Sequence, residues 1–231
     1  LQQEFPILAE VTQSDAGPVT LLEVGAGAGN TAFPILAQNQ NPDLKIHACD
    51  FSKIAVDVMR ESEAYNTNHM QADVWDVAGK EFPPGLTEGS VDVVLMIFIF
   101  SALSPNQWAK AVDNIHRLLK PGGHVLFRDY GRGDLAQVRF KKGRYLQENF
   151  YIRGDGTRVY FFEEEELGDI WTGKIAPDGD LEDNARPSVD HDADKFEILQ
   201  LAADRRLLVN RGKQLKMYRC WLQGKFCKPL S

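Results

Sequence analysis

Apolar positions along the chain fall into short runs divided by polar, glycine-rich connections, and the period of each run predicts an element. Thr20-Leu21-Leu22-Glu23-Val24 reads as a short strand that runs into Gly25-Ala26-Gly27-Ala28-Gly29-Asn30, with a helix expected after it through about Leu36 to Asn39. Leu44 to Cys49 is the next strand, ending at Asp50. Ser52 caps a helix whose apolar stripe is expected at Ile54, Ala55, Val58 and Met59. His69 to Val74 reads as a third strand. Val91 to Phe100 is nearly all apolar, as a strand covered on both faces should be. Asn106 to Leu119 is amphipathic and helical, stopped by Lys120-Pro121-Gly122-Gly123, and His124 to Arg128 forms a further strand. Strands alternating with helices across short connections predict an α/β fold, a mostly parallel central sheet with helices on both faces.

The length, 231 residues, fits one such domain over residues 1–231, and neither an internal repeat nor a linker divides it. The first residue is Leu, so the expectation is a fragment of something longer. With 43% hydrophobic and 26% charged residues, disorder and disulfide scaffolds are excluded. The longest apolar run is far short of the roughly 20 residues a membrane span needs. Cys49, Cys220 and Cys227 lack metal-ligand spacing, so no structural metal is expected, and reduced thiols suit a cytoplasmic protein.

Charge changes the picture only by its placement. The net value of −7 argues against bulk-charge binding of nucleic acid. Acids concentrate between Asp178 and Glu197, within a Pro/Gly/Asp-rich stretch at about 173–200 that reads as a mobile surface insertion. Bases concentrate on either side of it, from Arg128 to Arg158 and from Arg205 to the end.

The strongest chemical signal is Glu23-Val24-Gly25-Ala26-Gly27-Ala28-Gly29. Alternating glycines between a strand and a helix let a ligand approach the backbone closely, but such a run alone also fits a bare tight turn. Asp50 ends the next strand, where a carboxylate can grip the ribose hydroxyls of an adenosine cofactor. Glu23, just before the first glycine, suits a zwitterionic amino-acid tail better than a pyrophosphate, which prefers a helix N-terminus free of carboxylates. These features favour S-adenosylmethionine over a dinucleotide, with Asp76 or Asp73 hydrogen-bonding the adenine amine.

Leu21 to Asn30 resembles motif I of class I methyltransferases. Ile97-Phe98-Ile99-Phe100-Ser101-Ala102, Lys120-Pro121-Gly122-Gly123, Phe127-Arg128-Asp129-Tyr130-Gly131-Arg132, Arg139-Phe140-Lys141-Lys142 and the stretch from Asn149 to Phe162 narrow the match. They resemble the tRNA 3-methylcytidine methyltransferases that modify cytidine 32 of the anticodon loop. The tail, Asp204-Arg205-Arg206-Leu207 through Val209-Asn210-Arg211 to Gln214-Leu215-Lys216-Met217-Tyr218-Arg219, is similar to the branch acting on threonine tRNAs. The resemblance implies a Rossmann-like class I methyltransferase fold. It implies S-adenosylmethionine as cofactor, held by Glu23, Gly25, Gly27, Gly29, Asn30, Asp50, Phe51, Asp76, Val77 and Ile97. The implied partner is the tRNA anticodon stem-loop, with a helper protein or a synthetase as a further candidate.

Cytosine N3 has an in-plane lone pair at pH 7, so the transfer needs alignment and exclusion of water rather than a strong base. The product is a cation, which a carboxylate near the base would stabilise. Asp129 is expected in that role, Arg128 or Arg132 on O2 or a phosphate, and Tyr130 stacked on a flipped base. A local Arg128–Asp129 ion pair at a strand end is the bland alternative. Arg139, Lys141, Lys142 and Arg144, interleaved with Phe140 and Tyr145, suggest a phosphate-tracking strip; an ordinary solvated helix face would look the same. The resemblance adds Arg132, Arg153, Arg158, Arg205, Arg206 and Arg211 as RNA contacts, although Arg153-Gly154-Asp155-Gly156 also reads as a tight turn. His47 and His69 are expected as plain strand residues, and Trp75, Trp108, Trp171 and Trp221 as core or groove. The competing functions are methyl transfer to a small molecule or protein, and a non-catalytic RNA-binding module.

Overall fold

The computed structural model describes residues 4–174, 195–210 and 215–230. A short helix α1 (Ile7–Glu10) precedes β1 (Val19–Val24), α2 (Ala32–Ala37), β2 (Leu44–Asp50), α3 (Lys53–Glu61), β3 (Met70–Val74) and β4 (Val91–Ile97). Then come α4 (Pro105–Leu118), β5 (Leu119–Tyr130), α5 (Leu135–Val138), the short strands β6 (Tyr145–Gln147), β7 (Phe150–Ile152) and β8 (Arg158–Tyr160), helix α6 (Glu164–Thr172), and the long strands β9 (Glu197–Asn210) and β10 (Leu215–Cys227).

Seven strands form one sheet in the order β3-β2-β1-β4-β5-β10-β9. β1 to β5 run parallel, while β10 joins β5, and β9 joins β10, antiparallel. Both faces are covered, which is why the central strand β4 reads as a nearly continuous apolar run rather than an alternating one. Leu22, Val24, Val94, Met96, Val125 and Phe127 face a core shared with α4 and α6. Their neighbours Leu21, Val93, Leu95 and Leu126 face a second core shared with α1, α2 and α3. β6, β7 and β8 make a separate antiparallel sheet.

Four expectations change. The strand expected to reach Phe100 stops at Ile97, because Phe98 takes a positive φ of 57° and the chain turns into a 3₁₀ segment, Phe100–Ala102. β5 starts directly after α4, so Lys120-Pro121-Gly122-Gly123 lies within its bounds, with a register irregularity where it leaves Val91. In α3 the buried positions are Val56 and Met59; Ile54 and Val58 turn outward. Helical phase decides this, since Ile54 and Val58 share one face at i, i+4 and only the Val56–Met59 face meets the sheet. Finally, of the acidic stretch at 173–200, residues 175–194 lie outside the described residues, whereas Glu197–Gln200 open β9 and pair with β10 instead of forming a loop. No helix among the described residues is long and apolar enough to cross a membrane.

Candidate active site and nucleic-acid interface

The glycine loop after β1, Asp50 at the end of β2, Asp76 beyond β3, Phe98 beyond β4 and Tyr130 at the end of β5 all lie at the carboxyl edge of the parallel strands. That edge is where ligands bind in open α/β sheets.

The loop is tight for a steric reason. A Cβ at Gly25, whose φ is +69°, would come within 2.6 Å of the Ile99 side chain, and one at Gly29, with φ +81°, within 2.4 Å of the Phe33 ring. The amides of Gly25 and Ala26 donate to the Cys49 carbonyl, and the Gly27 amide donates to Asp50 Oδ2 at 2.8 Å. Asp50 Oδ1 accepts from the Ser52 amide, also at 2.8 Å. A carboxylate has about four acceptor positions, so two remain for a diol. Phe51, 76% exposed, stands beside it as an unburied ring.

Glu23 is 3% exposed on β1. Burial pushes its carboxyl up from 4.5 to about 7, against the opposing pull of hydrogen bonds with Thr31 and the Ala32 amide. Its Oε2 has no hydrogen-bond partner among the described residues. A buried, half-satisfied acid beside a glycine cradle suits a cationic amino group. Asp73 is committed to Arg60 at 3.0 Å and Gln71 at 2.7 Å, which leaves Asp76 as the carboxylate facing outward beyond β3. Asp76 Oδ1 accepts from the Ala78 amide. Val77 turns its side chain into the core and its carbonyl to Asn114, so only its backbone can line the cleft. Asn30 is exposed on the loop, and Ile97 is half-buried at the end of β4.

Successive residues of β5 point to opposite faces of the sheet. Arg128 and Tyr130 share one face with Gln223 and Trp221, their partners on β10. Arg128, 9% exposed, pairs with Glu4, donates to Gln223 Oε1 and stands 5.6 Å over the Trp221 ring. Phe98 lies 4.9 Å from the Tyr130 ring and 5.7 Å from Trp221. Arg153 stands 5.0 Å over Tyr130, while Arg219 caps both Tyr130 at 5.9 Å and Trp221 at 5.3 Å. The result is an aromatic face edged by guanidiniums. Asp129 lies behind it, 0% exposed, with Oδ2 accepting from the Ser101 amide at 2.9 Å and Oδ1 from the Tyr130 amide at 2.8 Å. Burial pushes its carboxyl up to about 6. The expected open carboxylate is therefore replaced by a buried one, and the Arg128–Asp129 ion pair does not form.

The basic residues divide. Arg139, Lys141, Lys142 and Arg144 are exposed, and they occupy a turn between α5 and β6 rather than a helix face. Phe140 among them stacks on Tyr151 at 4.7 Å, and Tyr145 is open to solvent. Arg144 also ties down the turn by donating to the Arg153 carbonyl. Arg132 is held by Glu163 at 2.6 Å and Glu166 at 3.2 Å, and Arg158 donates to Gln107. These two are structural in the free protein. Arg205 is exposed; Arg206 pairs with Glu4 and Asp204. Arg132, Arg205, Arg206 and Arg219 line a cavity of about 430 Å³ with Tyr218. Arg211 lies outside the described residues.

The sequence reading names Trp221 only as core or groove and gives Phe98 and Arg219 no role in this face. No local signal marks them: Phe98 depends on a backbone kink, and Arg219 and Trp221 arrive through strand pairing with a segment some 90 residues away.

A family profile described as "Methyltransferase domain" matches residues 22–125. The chain is 53% identical, over 99% of its length, to the tRNA(Thr) (cytosine(32)-N(3))-methyltransferase of Saccharomyces cerevisiae, of which it spans 34%. It is 50% identical, again over 99% of its length, to the tRNA N(3)-methylcytidine methyltransferase trm140 of Schizosaccharomyces pombe, of which it spans 67%. A SAM-dependent methyltransferase structure from Methanosarcina mazei superposes with a TM-score of 0.65 at 16% identity, over 98% of both chains. The fold is that of the Rossmann-like class I methyltransferases.

Proposed function

The chain belongs to the tRNA N3-methylcytidine methyltransferase family, and from that premise we propose that it forms 3-methylcytidine at position 32 of the anticodon loop of threonine tRNAs. S-adenosylmethionine is the cofactor, and the protein works in the cytoplasm, with a helper protein or synthetase as a second partner. One observation carries the reading: an aromatic face edged by arginines lies on the same sheet edge as a glycine cradle with an acid on either side. A small-molecule methyltransferase has no evident use for such an exposed basic strip beside its cleft.

Bound S-adenosylmethionine supplies an electrophilic methyl group on a sulfonium. Asp50 would hold the ribose, Phe51 and Ile97 the adenine faces, Asp76 the adenine amine, and Glu23 with Asn30 and the loop amides the amino-acid tail. Tyr130, Phe98 and Trp221 offer ring surfaces against which an extruded cytosine stacks, which excludes water and fixes the plane of N3. Arg153 and Arg219 reach O2 or the flanking phosphates. Arg128, held by Glu4, sets Trp221 from the same face of the sheet. Asp129 acts as a positioning residue, fixing Ser101 and the start of Tyr130 from the buried side. Its charge there also opposes the local excess of guanidinium as the base turns cationic. Incubating unmodified threonine tRNA with the protein and methyl-labelled cofactor, then analysing nucleosides by mass spectrometry, should yield labelled 3-methylcytidine. Label in another nucleoside, or none in RNA, overturns the reading.

A further inference from the structure

β9 forms the outer edge of the seven-stranded sheet, and among the described residues no strand pairs with its free side. It is 14 residues long and contains no proline. Its half-buried acid, Asp204, is neutralised by Arg206 at 2.8 Å, so no unpaired inward-pointing charge of the kind that usually protects an edge is found among the described residues. Apolar side chains stand exposed at both of its ends, Ile198 and Leu199 at one and Leu207 and Val209 at the other. Between them lie Ala202 and Ala203, both exposed and small enough for another backbone to come close.

The charges beside this edge are polar along the strand. Its first half borders a groove of about 820 Å³ shared with α6, whose rim carries three acids, Glu164, Glu165 and Asp169, against one base, Lys174. Its second half carries Arg205 and Arg206, with Arg219 across on β10. Arg206 is already committed to Glu4 and Asp204, whereas Arg205 is exposed on the face that α6 shares. An arrangement that is acidic at one end and basic at the other is complementary to itself under reversal of direction.

We propose that this edge binds a second copy of the chain, β9 against β9 and antiparallel, about a two-fold axis normal to the sheet near Ala202 and Ala203. Such an axis keeps each face of the sheet on its own side and brings Arg205 of each copy beside Glu165 and Asp169 of the other. It joins the two sheets into one and satisfies the backbone groups along both edges, an isologous closure in which no further edge of this kind is left. Because the strands reverse, the two ligand edges point in opposite directions, and each methyl-transfer site stays within a single copy.

Sedimentation velocity over a concentration series tests this without reference to activity. The expected result is a species of twice the chain mass that grows with concentration. Arg205→Glu and Glu165→Arg, both at exposed positions, should each weaken dimerisation by about tenfold or more, because each sets like charges together at both symmetric junctions. An equal mixture of the two variants should recover the dimer: in the mixed pair one junction is native and the other reversed, so opposite charges meet at both. Circular dichroism confirms that each variant is folded. A chain that stays monomeric at every concentration overturns the proposal, and so does a dimer indifferent to both substitutions or one that mixing fails to restore.

Discussion

Arg128 and Asp129 are adjacent in sequence yet do not touch as an ion pair; they lie on opposite faces of one strand. Arg128 reaches Glu4 and Gln223 on the substrate face, while Asp129 is sealed behind it with the amides of Ser101 and Tyr130. The pleat separates neighbouring side chains, so each partner comes from a distant part of the chain. Arg128 thereby fixes the aromatic face from the front, and Asp129 fixes its backbone from the rear.

Asp129 should therefore matter first to stability. Asp129→Ala leaves the buried Ser101 amide without its acceptor, at a cost of about 1–3 kcal/mol, and Asp129→Asn, which keeps one acceptor, costs less. Denaturant melts should show that order. Turnover falls with the placement of Tyr130, more in the Ala variant than in the Asn one. If Asp129→Asn keeps wild-type stability and loses turnover by orders of magnitude, charge on the base is the role and positioning is not.

Glu4 and Arg128 are both substantially shielded, so their pair is less screened than a surface bridge. Arg128→Ala also removes the cation over Trp221 and should destabilise by about 1.5–3 kcal/mol, the range for hydrogen bonds to charged groups. Glu4→Gln should cost less, since the amide oxygen still accepts from Arg206 or Arg128. Equal losses in the two variants would place the stabilisation in the charge of Glu4 rather than in the stacking of Arg128.

Glu23 predicts a pH dependence. Its carboxyl titrates near 7 in the folded protein against 4.5 when exposed, so the folded state holds a proton that the unfolded state has lost. Its contribution is complete below pH 4.5 and is lost as pH rises to about 7, amounting to about 3 kcal/mol by the usual conversion. Glu23→Gln should flatten that slope in thermal melts. A cofactor with an ammonium tail favours the ionised acid, so binding at pH 6–7 should release a proton. Titration calorimetry in buffers of different ionisation heat should give enthalpies that differ for the native chain and coincide for Glu23→Gln.

The parallel half of the fold is legible in the sequence because β4, buried on both faces, reads as a nearly unbroken apolar run, and because β1 and β2 are short apolar-rich segments closed by the glycine loop and by Asp50. The glycine cradle is legible because Gly25 and Gly29 leave no room for a Cβ. The β9–β10 hairpin is not. Its far end continues past the end of β5 as a two-stranded ribbon, where Leu207, Leu208 and Val209 are all exposed and no alternation marks an inner face. The substrate face stayed half hidden for a related reason. Tyr130 is local to the strand that signals it, but Trp221 and Arg219 are placed only by long-range register. Arg132, which the resemblance makes an RNA contact, is claimed by Glu163, just before α6, and Glu166 within it.

The exposed strip gives the sharpest test of the RNA face, because none of Arg139, Lys141 and Lys142 is paired with an acid among the described residues, and Arg144 is tied only to a backbone carbonyl. Replacing Lys141, Lys142 and Arg144 with Ala should weaken tRNA binding and leave cofactor affinity unchanged, since the strip lies in the turn before β6 and not on the glycine loop. Each phosphate of a single-stranded loop that is no longer neutralised should lower the slope of log K against log salt by about 0.7, and each of a duplex stem by about 0.9. Binding measured at several salt concentrations thus counts the phosphates engaged and tells stem from loop. Arg144→Ala alone should also loosen the Arg153 turn, and with it the cation over Tyr130, so this single variant should lose turnover as well as affinity while Lys141→Ala loses affinity only. An unchanged slope in the triple variant would return the strip to a merely solvated turn and would leave Arg153 and Arg219 as the groups that meet phosphate at the cleft.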